Sequence, residues 1–184
     1  TLMRSSAASD VYKRQVIVTH PNFDNASNVN KRWVNELEKY SDEFIVHNLY
    51  KKYPNEIIDV KKEHELLESV DTIVFQFPLY WFSTPPLLKK WFDHVFEYGW
   101  AYGSKGKKMN GKNIAVAVTI GSPQDYYTGD KAIEKVLLPL KITSEFVGSN
   151  FLGVFAFYGI TQQGVTTERL EDSVKNYLNF LRKI

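Results

Sequence analysis

Phe75-Gln76-Phe77-Pro78-Leu79-Tyr80-Trp81-Phe82-Ser83-Thr84-Pro85-Pro86-Leu87-Leu88-Lys89-Lys90-Trp91-Phe92 says more about this fold than any other stretch of the chain. An apolar strand begun at Thr72 stops at a proline, and a cluster of aromatic rings follows. A helix then starts behind Thr84 and a proline pair, where a missing N–H costs nothing. Strand, connection and helix in that order form the unit of an open α/β sheet, which binds ligands at the C-terminal edge of its strands. Tyr and Trp carry polar atoms that need partners when buried, so rings gathered in a connection read as flat surface offered to a planar ligand. The competing reading is a hydrophobic loop under a lid, since aromatics are common in cores.

Working outward, Val16-Ile17-Val18 is a β-branched strand, and after a polar loop Val29, Trp33, Val34 and Leu37 recur at helical spacing. Phe44-Ile45-Val46-His47-Asn48-Leu49 is a second strand. A break at Tyr53-Pro54 leads to a charged helix over 60–70 with Leu66 and Leu67 inward. The third strand, over 72–77, is apolar enough to be buried on both faces. The helix over 84–96 turns Leu88, Trp91, Phe92 and Val95 to the core, and Ile114-Ala115-Val116-Ala117-Val118 is strand four. A helix over 132–146 follows that Pro139 should kink or divide, then a strand over 150–156 and a closing helix over 170–181. Five buried strands alternating with helices predict a three-layer α/β sandwich, a five-stranded parallel sheet of order 2-1-3-4-5 with helices on both faces. The loops after strands one, three and four then meet where the winding reverses.

At 184 residues, 43% hydrophobic, the chain can close one core, expected over residues 13–184. Residues 1–12 are small and polar without a long apolar run, and are expected to be read-through or a disordered extension. A net charge of +2 without a basic stripe argues against nucleic acid as a partner. The absence of cysteine removes disulfides, thiolate nucleophiles and iron–sulfur ligands, fits a reducing cytoplasm, and leaves redox chemistry to a bound cofactor. The longest apolar stretch, around 151–158, is far short of the ~20 residues of a spanning helix, so a soluble protein is expected. The four histidines show no metal spacing; His47 and His64 are expected at the surface or at strand edges. Glu36, Glu38, Lys39, Lys61, Lys62 and Glu63 read as solvated helix faces.

Three loops carry the chemistry. The first, His20-Pro21-Asn22-Phe23-Asp24-Asn25-Ala26-Ser27-Asn28-Val29-Asn30, ends in hydroxyl and amide side chains at a helix N-terminus, a phosphate site. It lacks both the G-x-G-x-x-G turn and the P-loop lysine, so a terminal monophosphate fits best; a plain N-cap role for Ser27 or Asn28 is the competing reading. The second, Pro78-Leu79-Tyr80-Trp81-Phe82, offers backbone amides to the polar edge of a flavin ring, with Trp81 and Phe82 beside its plane. The third, Thr119-Ile120-Gly121-Ser122, has a glycine that lets backbone approach a ligand, although such a turn also ends ordinary strands.

With these segments, together with Gly99-Trp100-Ala101-Tyr102-Gly103, the chain resembles the flavodoxin-like NAD(P)H:quinone oxidoreductases, the DT-diaphorase group, from Val16 onward. Within that group it is similar to the small bacterial branch that includes the ancillary flavoproteins of glutathione-gated potassium efflux. The resemblance implies that His20, Ser27, Asn28, Val29 and Asn30 hold the flavin phosphate. It places Pro78, Leu79, Tyr80, Trp81 and Phe82 along the isoalloxazine, and Thr119, Ile120, Gly121 and Ser122 at its other polar edge. It implies a homodimer with the site at the interface, Tyr102 reaching into the partner's site and Tyr127 near the hydride-receiving face. No histidine follows Tyr127 to match the one used by larger members, and the short segment after it favours FMN, with FAD the alternative. The implied activity is two-electron, ping-pong hydride transfer from NAD(P)H through the flavin to a quinone or similar acceptor, in the cytoplasm. The alternative is a regulatory flavoprotein on a potassium transporter's cytoplasmic domain, peripheral at the inner face of the membrane.

Overall fold

A computed structural model describes residues 14–184, so the extension expected over 1–12 lies outside the described residues. The β-branched runs form five parallel strands: β1 (Arg14–Val18), β2 (Phe44–Asn48), β3 (Thr72–Pro78), β4 (Asn113–Thr119) and β5 (Asn150–Phe157). Their order is β2-β1-β3-β4-β5, and β3 is buried along its whole length. Winding reverses between β1 and β3, where Val18 lies opposite Gln76, and Pro78 of β3 lies opposite Thr119 of β4. The ends of β1, β3 and β4 therefore meet at one rim of the sheet.

Between the strands run α1 (Phe23–Ala26), α2 (Asn28–Leu37), α3 (Leu49–Lys52), α4 (Val60–Glu68), α5 (Pro86–Val95), α6 (Ile133–Val136), α7 (Leu138–Phe146) and α8 (Thr167–Lys183). Alternation along the strands sorts the core into two layers. On one face Val16, Val18, Val74, Ala115 and Ala117 pack with Trp33 of α2 and Tyr177 of α8, the small alanines leaving room for those two rings. On the other, Ile73, Phe75, Phe77, Val116 and Val118 pack with Leu67 of α4, Leu88 and Trp91 of α5, and Leu137. The helix expected over 132–146 is divided at Leu137 into α6 and α7, with Pro139 in the first turn of α7, where its missing N–H breaks no bond. Helix α8 begins three residues before its apolar stripe because the Thr166 side chain caps it, accepting from Arg169 N at 3.3 Å.

Of the polar side chains read from the sequence, Glu63 differs from its expectation, and His47 and His64 have defined partners. Glu63 is wholly buried, not solvated, because position 63 of α4 shares the inward face with Leu67 one turn on. Its carboxylate accepts from Tyr53 OH at 2.5 Å and Trp91 Nε1 at 2.8 Å, and meets His47 Nε2 at 2.9 Å. His47 stands on the edge strand β2, one of the places expected for it, and turns its ring onto this carboxylate. His64 stacks on Trp100 with ring centres 3.7 Å apart and donates from Nε2 to the Val95 carbonyl at 2.7 Å, tying α4 to the end of α5.

Candidate functional site

The ends of β1, β3 and β4, joined by the loop after β5, enclose a cavity of about 460 Å³. His20, Ser27, Asn28, Val29, Asn30, Pro78, Leu79, Tyr80, Thr119, Ile120 and Gly121 line it, so all three expected loops converge. Ser27 stands at the N-cap position of α2, but its side chain makes no cap bond, and its buried Oγ has no partner among the described residues. Simple capping therefore does not account for it. A hydroxyl and the free amides of the first turn of a ten-residue helix together suit an anion. At His20, Nδ1 accepts from Asn22 N at 3.1 Å, which puts the ring proton on Nε2. Burial pushes its pKa below the usual histidine value, outweighing a backbone hydrogen bond that raises it, so the ring is a neutral donor near pH 7. Val29 and Ile120 have their side chains in the core and offer backbone only.

Beneath the cavity runs a buried amide network that the sequence reading missed. Tyr177 OH donates to Gln76 Oε1 at 2.9 Å, Gln76 Nε2 donates to Asn30 Oδ1 at 3.1 Å, and Asn30 Nδ2 donates to Thr119 Oγ1 at 2.8 Å. Both ends of the Asn30 amide are thereby occupied, and it joins the first loop to the third. Its visible signal was Gln76, a lone polar residue in an apolar strand. The loop from β5 to α8 was missed as well. Ile160, Thr161, Gln162, Gly164 and Val165 form one wall of the cavity, held by Ile160 N donating to the Ile120 carbonyl at 3.1 Å. Gly121 has no left-handed backbone, and a Cβ there would meet only the Ile160 carbonyl at 3.5 Å, so the fold itself does not demand the glycine.

The aromatic turn is tied to the third loop by Leu79 N donating to the Thr119 carbonyl at 2.8 Å. Tyr80 and Ser83 exchange two backbone bonds, of 3.0 and 2.9 Å, while Trp81 and Phe82 between them have φ of 48° and 61°. This is the positive-φ pattern of a type I′ turn, which favours Asn-Gly and costs bulky residues roughly 1–2 kcal/mol each. Trp81 is 94% exposed. Phe82 stacks on Tyr126 at 6.4 Å, Tyr126 meets Tyr127 at 5.3 Å, and Tyr127 meets Tyr158 at 5.5 Å. Burial pushes the Tyr127 phenol above its ordinary range, opposed by a smaller effect of the bond with Ser122, so it stays protonated at neutral pH. Trp81, Phe82, Ser122 and Tyr127 thus extend the same loops outside that cavity, the three rings as an aromatic wall.

Tyr102 is not brought to that cavity. It lines a separate groove of about 390 Å³ between α5 and α7, with Phe82, Phe92, Phe96, Leu140 and Phe146. Its ring lies 5.7 Å from Tyr98 and 5.4 Å from Phe146, both well exposed.

A parallel 2-1-3-4-5 sheet with a cavity at its first crossover helix and an aromatic turn after β3 defines a protein of flavodoxin architecture. The chain belongs to the Flavodoxin_2 family, described as a flavodoxin-like fold, whose model matches residues 13–181. It is 41% identical to the uncharacterized NAD(P)H oxidoreductase YrkL of Bacillus subtilis, over 92% of this chain and 98% of that protein. The general stress protein 14 of Treponema denticola, solved in complex with FMN, superposes with a TM-score of 0.87 at 39% identity, over 93% of this chain and 98% of that one. The glutathione-regulated potassium-efflux system ancillary protein KefF of an Enterobacter species is 37% identical, over 78% of this chain and 81% of that protein.

Proposed function

We propose that this protein is an FMN-dependent NAD(P)H oxidoreductase that reduces quinones or similar acceptors by ping-pong, two-electron transfer. The observation that carries the reading is the buried, unpartnered Ser27 hydroxyl at the N-terminus of α2, in one cavity with His20 and beside the strained aromatic turn. Its support from outside the chain is the FMN held by the Treponema denticola relative and the oxidoreductase name of YrkL.

The residues fit the cofactor. Ser27 Oγ, His20 Nε2 and the first amides of α2 would hold a monophosphate, and without a glycine-rich turn they suit FMN better than the diphosphate of FAD. Backbone N–H groups of the turns at 78–82 and 119–122 would meet the polar edges of the ring. Bound there, FMN would take a hydride from C4 of the nicotinamide at N5 and, once NAD(P)⁺ has left, pass it to the acceptor, a solvent proton completing the hydroquinone. The chain's own part is to orient. Trp81, Phe82 and Tyr126 make an open flat wall that one planar molecule leaves and another enters, and Tyr127 presents a protonated phenol near it.

The apolar groove between α5 and α7 supports a homodimer. A second copy seated there would cover the exposed Tyr98, Ile142 and Phe146 and bring Tyr102 toward the Phe82 end of the other site. A spectrum of purified protein with added FMN, followed by NADH and NADPH consumption against a quinone panel, tests the reading. Protein that stays colourless with FMN and FAD would end it. Kinship to KefF favours a second reading, a regulatory subunit of a potassium transporter, tested by co-purification with such a transporter's cytoplasmic domain.

A further inference from the structure

At the outer end of the aromatic wall stands a cation that the fold does not otherwise engage. Lys131 lies in the exposed turn between β4 and α6, and its Nζ sits 4.3 Å above the centre of the Tyr126 ring. The other cations nearby are paired or tethered, while Asp125 and Glu134 of the same segment have no ion pair among the described residues. Asp130 holds Lys135 at 2.7 Å, Lys89 of α5 is bonded to Asp93, and Arg169 donates to the Tyr158 carbonyl at 2.8 Å. Lys131 has no carboxylate partner among the described residues. A ring face holds an ammonium in place without neutralising it, so its charge stays available to a second, anionic partner. Tyr126 in turn stacks on Phe82, which fixes that charge at the end of a continuous path from the turn where a flavin ring would lie.

A pocket shared by two different planar molecules cannot tell them apart at the stacking face. It must do so through groups they do not share. The nicotinamide donor carries a diphosphate one ribose away from its reactive ring, and a quinone carries none. We propose that Lys131, seated on Tyr126, receives the diphosphate of the dinucleotide and is the residue that selects NAD(P)H as donor. This rests on the oxidoreductase reading above.

The test compares NADH with N-benzyl-1,4-dihydronicotinamide, an uncharged donor of the same hydride, on FMN-loaded protein. In Lys131→Ala, kcat/KM for NADH relative to that for the benzyl donor should fall about fivefold to tenfold, more in Lys131→Glu, with Lys131→Arg restoring most of it. The dissociation constant of the redox-inert analogue tetrahydro-NADH, measured by calorimetry, should rise by a similar factor, and that difference should shrink as salt is added. A loss shared equally by both donors would place the effect in the shape of the wall, and no loss with either would leave the charge without a task. Either result overturns the proposal and spares the parent reading. Wild-type protein that holds FMN yet oxidises no dinucleotide overturns both.

Discussion

At Glu63 a negative charge is shut away from solvent, and Tyr53, Trp91 and His47 converge on it; at Ser27 a neutral hydroxyl is comparably hidden, and none of the described residues does. Burial by itself would push the Glu63 carboxyl up, but the hydrogen bond and charge of His47, with smaller help from Tyr53 and Trp91, carry it below the usual range. A buried charge without such partners would not survive in a stable fold. The Ser27 hydroxyl is the cheaper omission, about 1–3 kcal/mol, and it borders a cavity. The contrast separates a knot that belongs to the fold from a group whose partner belongs to a ligand.

The largest effect should come from untying the knot. Glu63→Ala strands the buried Tyr53 and Trp91 donors and the half-buried His47, and should cost about 3–5 kcal/mol in chemical denaturation, with or without FMN. Glu63→Gln, which keeps an acceptor, should cost less. The pH dependence has a definite sign. Because the folded pKa lies below the ordinary 4.5, the carboxylate's stabilisation is present above that value and is lost as pH falls through the lower, folded one. The stability gap between wild type and Glu63→Gln should therefore close on acidification below 4.5. A gap that stays constant through that window would mean that the charge of Glu63 is not what the cluster holds.

Ser27→Ala should give the opposite signature. Removing a hydroxyl that has no partner among the described residues should leave the FMN-free protein at least as stable as wild type, with a gain of up to about 1–3 kcal/mol. FMN affinity should fall about tenfold or more, as expected for losing a charge-assisted hydrogen bond, measured by flavin fluorescence. A drop in FMN-free stability without a drop in affinity would make Ser27 a structural cap after all and erase the distinction from Glu63.

The same contrast explains what could be read from the chain. The strand order and the inward faces of α2 and α5 followed from periodicity, since Val29, Trp33, Val34 and Leu37, or Leu88, Trp91 and Val95, repeat every helical turn. The three loops followed from where those strands end. Periodicity records the kind of residue, however, and not its partners. Glu63 looked solvated because a carboxylate on a charged helix usually is; its spacing from Leu67 puts it on the inward face, but the partners that let a charge stay there, at 47, 53 and 91, are distant in the chain. The wall at 160–165 was hidden for a related reason: it reaches the site through backbone bonds to β4, which leave no mark in side-chain chemistry. The strain at Trp81 and Phe82 was equally silent, because nothing in Tyr-Trp-Phe-Ser announces a turn that ordinarily takes Asn-Gly.

That strain gives the smallest and most discriminating test. Trp81 sits at φ 48° and is 94% exposed, so its ring contributes almost no burial, while its backbone opposes the turn. Trp81→Asn, which tolerates the left-handed region, should raise the stability of the FMN-free protein by about 0.5–1 kcal/mol. Such a gain at a surface position would place Trp81 with Ser27, among residues kept against the interest of the folded chain alone, and should come with weaker flavin binding or slower turnover. If stability falls instead, the turn is held by packing, and Trp81 moves to the side of Glu63. In that case the aromatic wall would be part of the scaffold, and the phosphate end would be left as the only part of the site shaped for a ligand at the expense of the fold.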